Sequence, residues 1–332
     1  MRPWLLPANR DPATSEMTTQ LARDELSRAA TGRPSAVTIG KFDGVHRGHQ
    51  FLVGLLLDQA KGNGLASVVI TLHPHPISVL RPGTAITYLC SLEERVALLR
   101  SLGVDGVGVL SFTSELAQLS YRDFVGLLIE QLDLQLLLVG PDLALGRDRE
   151  GDVEALRRLG EERGFRVELA PMLSEDDAKV GSGAVRDALA AGEMPTVNGL
   201  LGRPFALRGP VVRGDERGKT IGFPTANIAV ARDLALPKFG VYVTRAYLGE
   251  MAYPSVTNVG ERPTFGQSRP TIETYLLDFE GDLYERELRI ELLQKVRDEQ
   301  RFDGVDALVA QIGRDVETAR AYFDEAGEAS TP

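Results

Sequence analysis

Beyond residue 34 the chain alternates between two kinds of hydrophobic pattern. Nearly continuous apolar runs at 35–40, 66–72, 107–112, 134–140 and 165–171 are separated by stretches at 48–61, 92–102, 121–132 and 152–163, in which apolar residues recur every three or four positions. The first kind predicts strands buried on both faces, the second amphipathic helices. Strict alternation of the two predicts a parallel sheet covered on both sides, an α/β architecture. Ligands of such sheets bind beyond the carboxyl ends of the strands, which directs attention to the loops after Ile39, Leu72 and Val139. Residues 1–34 carry no apolar face lasting beyond one turn and are expected to form a frayed N-terminal extension without chemistry.

The pattern changes near residues 198–203. Short β-rich segments follow at 205–213, 225–230, 240–247, 254–258, 272–279 and 283–293, punctuated by glycine and proline. Turns at Leu248-Gly249-Glu250 and Glu280-Gly281-Asp282 predict antiparallel hairpins closing into a small barrel. A helix over 306–326, with Val305, Leu308, Ile312 and Val316 on one side, reads as a packing element. At 332 residues, 43% hydrophobic and 25% charged, the chain can bury two cores. The expected division is an extension over 1–34, a first domain over 35–197 and a second over 198–328.

Charge and composition narrow the function. Lysine and arginine total 37 against 47 acids, a net charge of −10, and such a surface repels a phosphate backbone, so nucleic acid is not an expected partner. The single cysteine, Cys90, supports neither an internal disulfide nor a thiolate cluster; it is expected to be a core residue in a reducing, cytoplasmic setting. No apolar stretch approaches about eighteen residues, so neither a membrane span nor a signal peptide is expected.

All four histidines, His46, His49, His73 and His75, fall just after predicted strands. They read as a zinc site, as donors at a phosphate site or as satisfied structural histidines. The metal reading lacks the usual helical i, i+4 spacing with an intervening glutamate. The phosphate reading is supported by the run from Gly40 to His49, strand then glycine turn then helix start, where backbone NH groups and the helix dipole attract anions. Asp43 in that run either shapes the nucleotide pocket or caps the following helix. In the second half, residues 214–220 fall one residue short of a Walker A loop, and Gly222 and Pro224 leave no helix behind it. The loop is still glycine-rich, and five basic residues between Arg203 and Lys219 oppose only Asp215 and Glu216.

Several strings occur in a fixed order. They are GKFDGVHRGH at 40–49, Thr71-Leu72-His73-Pro74-His75-Pro76, Val139-Gly140-Pro141-Asp142 with Gly146, and Gly181-Ser182-Gly183-Ala184-Val185-Arg186. The run 218–227 follows, ending in Pro224-Thr225-Ala226-Asn227, then Ile272-Glu273-Thr274-Tyr275, the string 257–265, and Arg297 with the residues after it. Together these resemble the bacterial bifunctional riboflavin kinase/FAD synthetase family over about residues 35–325. The resemblance implies a Rossmann-like nucleotidyltransferase domain followed by a riboflavin-kinase barrel with a terminal helix. It further implies ATP and Mg2+ as co-substrate and cofactor, with riboflavin, FMN and FAD as substrates and products.

By the same resemblance, the first domain moves AMP from ATP onto FMN. His46 and His49 carry the charge of adenylyl transfer, with Gly40, Phe42, Asp43, Gly48, Asp142, Ser182 and Arg186 at the nucleotide and His75 and Pro76 at the flavin. The barrel phosphorylates riboflavin. There Glu273 is the base, Thr225 and Asn227 hold magnesium, and Gly218, Lys219, Gly222 and Pro224 bind ATP; Arg297 is expected either to bind flavin or nucleotide or to pair with a neighbouring acid. The implied partners are small molecules only, and the implied assembly is a monomer or weak homo-oligomer.

The chain departs from the family at Gly181 and Gly183, where hydroxyl residues are usual, and at Leu143 and Leu145, where aromatics are expected. Those departures motivate an alternative in which only the kinase is active. A zinc-dependent hydrolase built on the four histidines and a pure flavin-binding protein are the rivals from other classes.

Overall fold

The central predicted strands, at 35–40, 66–72 and 134–140, form because their residues are buried on both faces. We describe residues 12–171, 174–175, 178–214, 217–264 and 267–327 from a computed structural model. They divide into two compact units: the chain up to Ile86 with Leu92–Val180, and Thr87–Ser91 with the chain from Gly181 onward.

The first unit opens with α1 (Pro12–Ser27), then β1 (Ser35–Gly40), a single 3-10 turn at Asp43–Val45, α2 (Arg47–Asn63), β2 (Ala66–His73) and α3 (Pro76–Leu80). It continues with α4 (Leu92–Ser101), β3 (Gly106–Ser111), α5 (Tyr121–Leu132), β4 (Leu134–Val139), α6 (Val153–Arg163) and β5 (Arg166–Leu169), and ends in a small ribbon, β6 (Ser174–Glu175) with β7 (Ala178–Lys179). The sheet order is β3-β2-β1-β4-β5 with every pair parallel. Alternate strand residues feed two cores, as a two-residue period requires. Val37, Ile39, Val68, Ile70 and Leu137 pack with Phe124 and Leu128 of α5 and Leu156 of α6. Ala36, Val69, Leu136 and Leu138 pack with Val53 and Leu56 of α2 and Leu99 of α4. Strand order reverses between β1 and β4, so the crevice for a ligand opens at their carboxyl ends.

The expected frayed extension is corrected by α1. Ala22, Leu26 and Ala29 are buried in the first core, and the Glu25 carboxylate accepts from the backbone NH and hydroxyl of Ser111. The periodic signal was weak because two of the three inward residues are alanines, while the larger Met17 and Leu21 face outward. Leu26→Ala should cost the unit about 2–5 kcal/mol, read as a lower urea midpoint; an unchanged midpoint would mean that α1 contributes no stability.

The second unit contains α7 (Ser182–Ala191), α8 (Met194–Leu201), β8 (Phe205–Val212), the one-turn α9 (Arg217–Thr220), β9 (Ala226–Ile228), β10 (Gly240–Leu248), β11 (Met251–Thr264), β12 (Gln267–Leu276), β13 (Glu287–Arg297) and α10 (Val305–Glu325). The strands close into an antiparallel barrel in the order β10-β11-β12-β9-β8-β13. The turn at Gly249 joins β10 to β11 as expected. The turn at Gly281 does not make a hairpin: β12 lies between β11 and β9, and β13 between β10 and β8. Turn residues report a local reversal of the chain, and the connection from Leu277 to Arg286 is long enough to carry β13 to the far side of β10.

Inside the barrel, Tyr242, Val259, Ile272 and Ile290 share a core with Leu189 and Val197 of α7 and α8. Thr244, Ser255, Thr257 and Thr274 form a buried chain of hydroxyl hydrogen bonds. On the outer face, Val241, Val243 and Leu293 are covered by Ala319 and Phe323 of α10. The segment Thr87–Ser91 belongs to this unit: Leu89 joins its core, and Tyr88 exchanges backbone hydrogen bonds with Asp233 and Ala235. Cys90 is buried, as expected.

Candidate active sites

At the end of β1 the chain turns through left-handed conformations at Phe42, Gly44 and Val45 before α2 begins. His46 caps α2: its Nδ1 accepts from the backbone NH of His49 at 3.3 Å. This places the two imidazoles in a stack, with centroids 3.7 Å apart and planes within 19°; Phe42 lies 5.1 Å from His49. Gly48 permits the stack, since a Cβ there would sit 3.2 Å from the His46 ring. Burial first, and then the neighbouring His46, Lys41 and Arg95, hold the His49 pKa well below the ordinary histidine value. Its Nδ1 is shut off from solvent with no hydrogen-bond partner, as suits a neutral ring.

Asp43 does not cap α2. It is buried, with its Oδ1 3.8 Å from Nη2 of Arg95. Arg95, on α4, was not singled out by sequence because it belongs to no motif. Its Nη1 lies 3.3 Å from the Leu72 carbonyl and 3.5 Å from the Thr71 hydroxyl, and that hydroxyl donates to the Lys41 carbonyl. His75 caps α3 in the same manner as His46 caps α2, with Nδ1 accepting from the Ile77 NH and Pro76 at the first turn.

Asp142 is exposed in the loop after β4, its carbonyl bound by Arg149. Leu145 is 7% exposed within the first core and Leu143 packs beside it, so in this chain both positions serve packing. Ser182 and Arg186 start α7 in the second unit, where Arg186 donates to the carbonyls of Thr87 and Ser182.

The barrel carries a cavity of about 370 Å³. Its walls include Gly218, Thr225, Asn227, Glu273 and Arg297, five of the residues expected there. Strand register explains the grouping: Asn227 on β9 lies opposite Glu273 on β12, which lies opposite Asn258 on β11. Asn258 therefore joins the site through cross-strand pairing, a relation that sequence alone does not reveal. Arg297 is held by a bidentate pair with Asp315, itself bound by Gln311, and its guanidinium lies over Phe302. Lys219, Gly222 and Pro224 belong to the same loop but not to the cavity wall. The single turn of α9 ends at Thr220, and no helix follows it at Gly222 and Pro224. Asp215, Glu216 and Phe265 lie outside the described residues.

Two glycines keep the loop close to the site. A Cβ on Gly218 would meet the Phe223 carbonyl at 2.3 Å, and one on Gly214 would meet the Asn227 amide at 2.3 Å. The Thr225 hydroxyl and Asn227 amide oxygen are hard donors in a cradle kept open by glycine, which fits a magnesium ion that retains most of its waters. Among the described residues no three His, Cys, Asp or Glu side chains come together to hold a metal. The four histidines therefore do not make the zinc site of the hydrolase rival.

The family model for FAD synthetase matches residues 29–184, and that for riboflavin kinase matches residues 201–323. The bifunctional riboflavin kinase/FMN adenylyltransferase of Escherichia coli K12 is 41% identical over 86% of this chain and 92% of its own length. The chain belongs to this family. Proteins of the same description from Pseudomonas fluorescens and Bacillus subtilis are 40% and 35% identical, over 91% and 87% of this chain and 97% and 92% of their own. A crystal structure from Streptococcus pneumoniae, described as a macrolide-efflux protein, superposes with a TM-score of 0.82 at 30% identity, covering 89% of this chain and 97% of that one. Among the described residues of this chain no helix is long and apolar enough to cross a membrane.

Two outcomes test the geometry. The lowered pKa means that the His49 ring is neutral at pH values where an ordinary histidine is charged. In nitrogen NMR of the imidazoles its resonances should hold neutral shifts at about pH 6, and titration at or above 6.5 would contradict the burial argument. Gly214→Ala should push the Asn227 amide aside and lower riboflavin phosphorylation at least about tenfold in a folded protein; parent-like rates would detach Asn227 from the reaction.

Proposed function

We propose that residues 198–328 phosphorylate riboflavin to FMN with ATP and that residues 35–197 adenylylate FMN to FAD with release of pyrophosphate. The observation that carries the kinase assignment is the cavity in which Glu273 stands between Asn227 and Asn258. Glu273 takes the proton of the ribityl hydroxyl as the hydroxyl oxygen attacks the γ-phosphorus of ATP, the bond to the bridging oxygen breaks and ADP leaves. The Thr225 hydroxyl and Asn227 amide oxygen would hold magnesium, which neutralises phosphate charge. The loop at Gly218, with Lys219, Gly222 and Pro224, brings backbone NH groups toward the nucleotide. Arg297, fixed by Asp315, faces the flavin.

In the first unit an oxygen of the FMN phosphate attacks the α-phosphorus of ATP in line, and pyrophosphate leaves. No covalent intermediate with the protein is required. His46 and His49, the latter as a neutral ring, act as hydrogen-bond donors beside the NH groups at the start of α2, stabilising charge that grows on the leaving group. Gly40, Phe42 and Gly48 shape the turn, and His75 with Pro76 borders the flavin. The nucleotide-binding roles of Asp142, Ser182 and Arg186 rest on the family resemblance. Magnesium serves both reactions. The single buried cysteine supports a cytoplasmic setting, and the assembly as a monomer or weak homo-oligomer rests on the family resemblance.

Chromatography of the flavins after incubation with riboflavin, ATP and magnesium should show both FMN and FAD; FMN alone would leave only the kinase, and unchanged riboflavin would remove both assignments. Glu273→Gln should lower FMN formation at least about a hundredfold while FAD formation from supplied FMN continues. A parent-like rate would remove Glu273 as the base.

A further inference from the structure

We infer that Arg95 is a positioning residue for adenylyl transfer, acting through Asp43 to hold the turn that presents His46 and His49. The inference rests on the adenylyl-transfer reading above. Arg95 is 1% exposed and Asp43 2%. Burying a guanidinium and a carboxylate costs several kcal/mol each unless partners compensate, and an apolar pair would pack the same space with less penalty. The pair therefore points to a geometric task.

The contacts of Arg95 define that task. From α4 it reaches the Leu72 carbonyl and Thr71 hydroxyl at the end of β2. Thr71 in turn holds the Lys41 carbonyl just past β1. The remaining arm of the guanidinium faces Asp43. One side chain thus links α4, two strand ends and the turn from behind.

The turn needs such a hold. Phe42 and Val45 have φ of +48° and +41°, a region that non-glycine residues avoid at a cost of order 1–3 kcal/mol each. Asp43 lies between them and carries the only charge in the Phe42–Val45 stretch. Immediately after Val45 come the His46 cap and the imidazole stack. A shift of the turn would move both rings and the first NH groups of α2 together, and misplacement of about 1 Å can cost a hundredfold in rate. The buried positive charge also opposes protonation of His49.

The test uses the full chain with FMN, ATP and magnesium, and riboflavin phosphorylation by the same samples as a control on the second unit. Arg95→Met and Asp43→Asn should each lower kcat for FAD formation at least about tenfold, with KM for FMN within about twofold of the parent. Because the two act as a unit, the double variant should lose no more than the worse single one. Arg95→Lys keeps the charge but not the fork that reaches Asp43 and the strand ends together, so it should recover part of kcat and stay below the parent. Where Arg95→Met lowers the folded fraction, Arg95→Lys decides the question from kcat per folded molecule. A structural brace alone would change melting temperature and leave that kcat intact. Parent-like kcat in the folded variants, or losses that multiply in the double variant, would overturn the inference. A parent chain that makes no FAD would instead overturn the reading on which it rests.

Discussion

A parallel sheet buried on both faces has only its carboxyl edge left for chemistry. In the first unit this constraint decides nearly everything that follows. Strands β1, β2 and β4 are sealed by helices, so polar side chains that act on a ligand must come from the loops leaving those strands. The reversal of strand order between β1 and β4 opens the crevice there. It also explains why His46, His49, Asp43 and the Leu72 carbonyl bound by Arg95 converge although they come from separate stretches of chain.

The barrel solves a different problem with the same period-two rule. One face of each strand fills the interior, where four hydroxyls satisfy one another in a buried chain. The other face is divided along its length. Part is covered by α10 through Ala319 and Phe323, and part is left open as the cavity, to which the same helix contributes Leu308 and Ile312. The terminal helix is therefore a packing element at one end and a wall of the site at the other. The register β9-β12-β11 sets Asn227, Glu273 and Asn258 side by side, so sheet pairing places the expected base beside an expected metal ligand.

The parts of this structure legible in sequence were those encoded by local periodicity or by contiguous strings. The five parallel strands and the helices between them follow from apolar spacing, and the turn before α2 from its glycines. Helix α1 was not legible because its inward face is mostly alanine and its dock depends on a carboxylate, Glu25, meeting Ser111 far along the chain. The placement of β13 was not legible because barrel closure is a long-range property that turn residues do not encode. Asn258 lies in the string 257–265, but its place in the site comes from strand register; Arg95 has no local signal and enters through the crossing of α4 behind a loop. Leu143 and Leu145 show the converse, a departure visible in sequence whose consequence, core packing, required the structure.

Both units hold an arginine with a buried aspartate, and the difference in exposure separates their roles. Asp315 grips Arg297 at two nitrogens and is fixed in turn by Gln311. The Arg297 side chain retains 15% of its exposure on the cavity side, which leaves it able to meet a ligand directly. Arg95 retains almost none, so whatever it contributes must pass through Asp43 and the backbone it holds. A paired buried charge is a poor source of net stability, but a guanidinium fork has fixed geometry, and that property suits both places. On a chain with a net charge of −10, cations directed by neighbouring carboxylates keep their positive ends at chosen points. The acidic exterior and two phosphate-handling sites are then compatible, because the charges that matter are set locally by pairing and not by the sum over the surface.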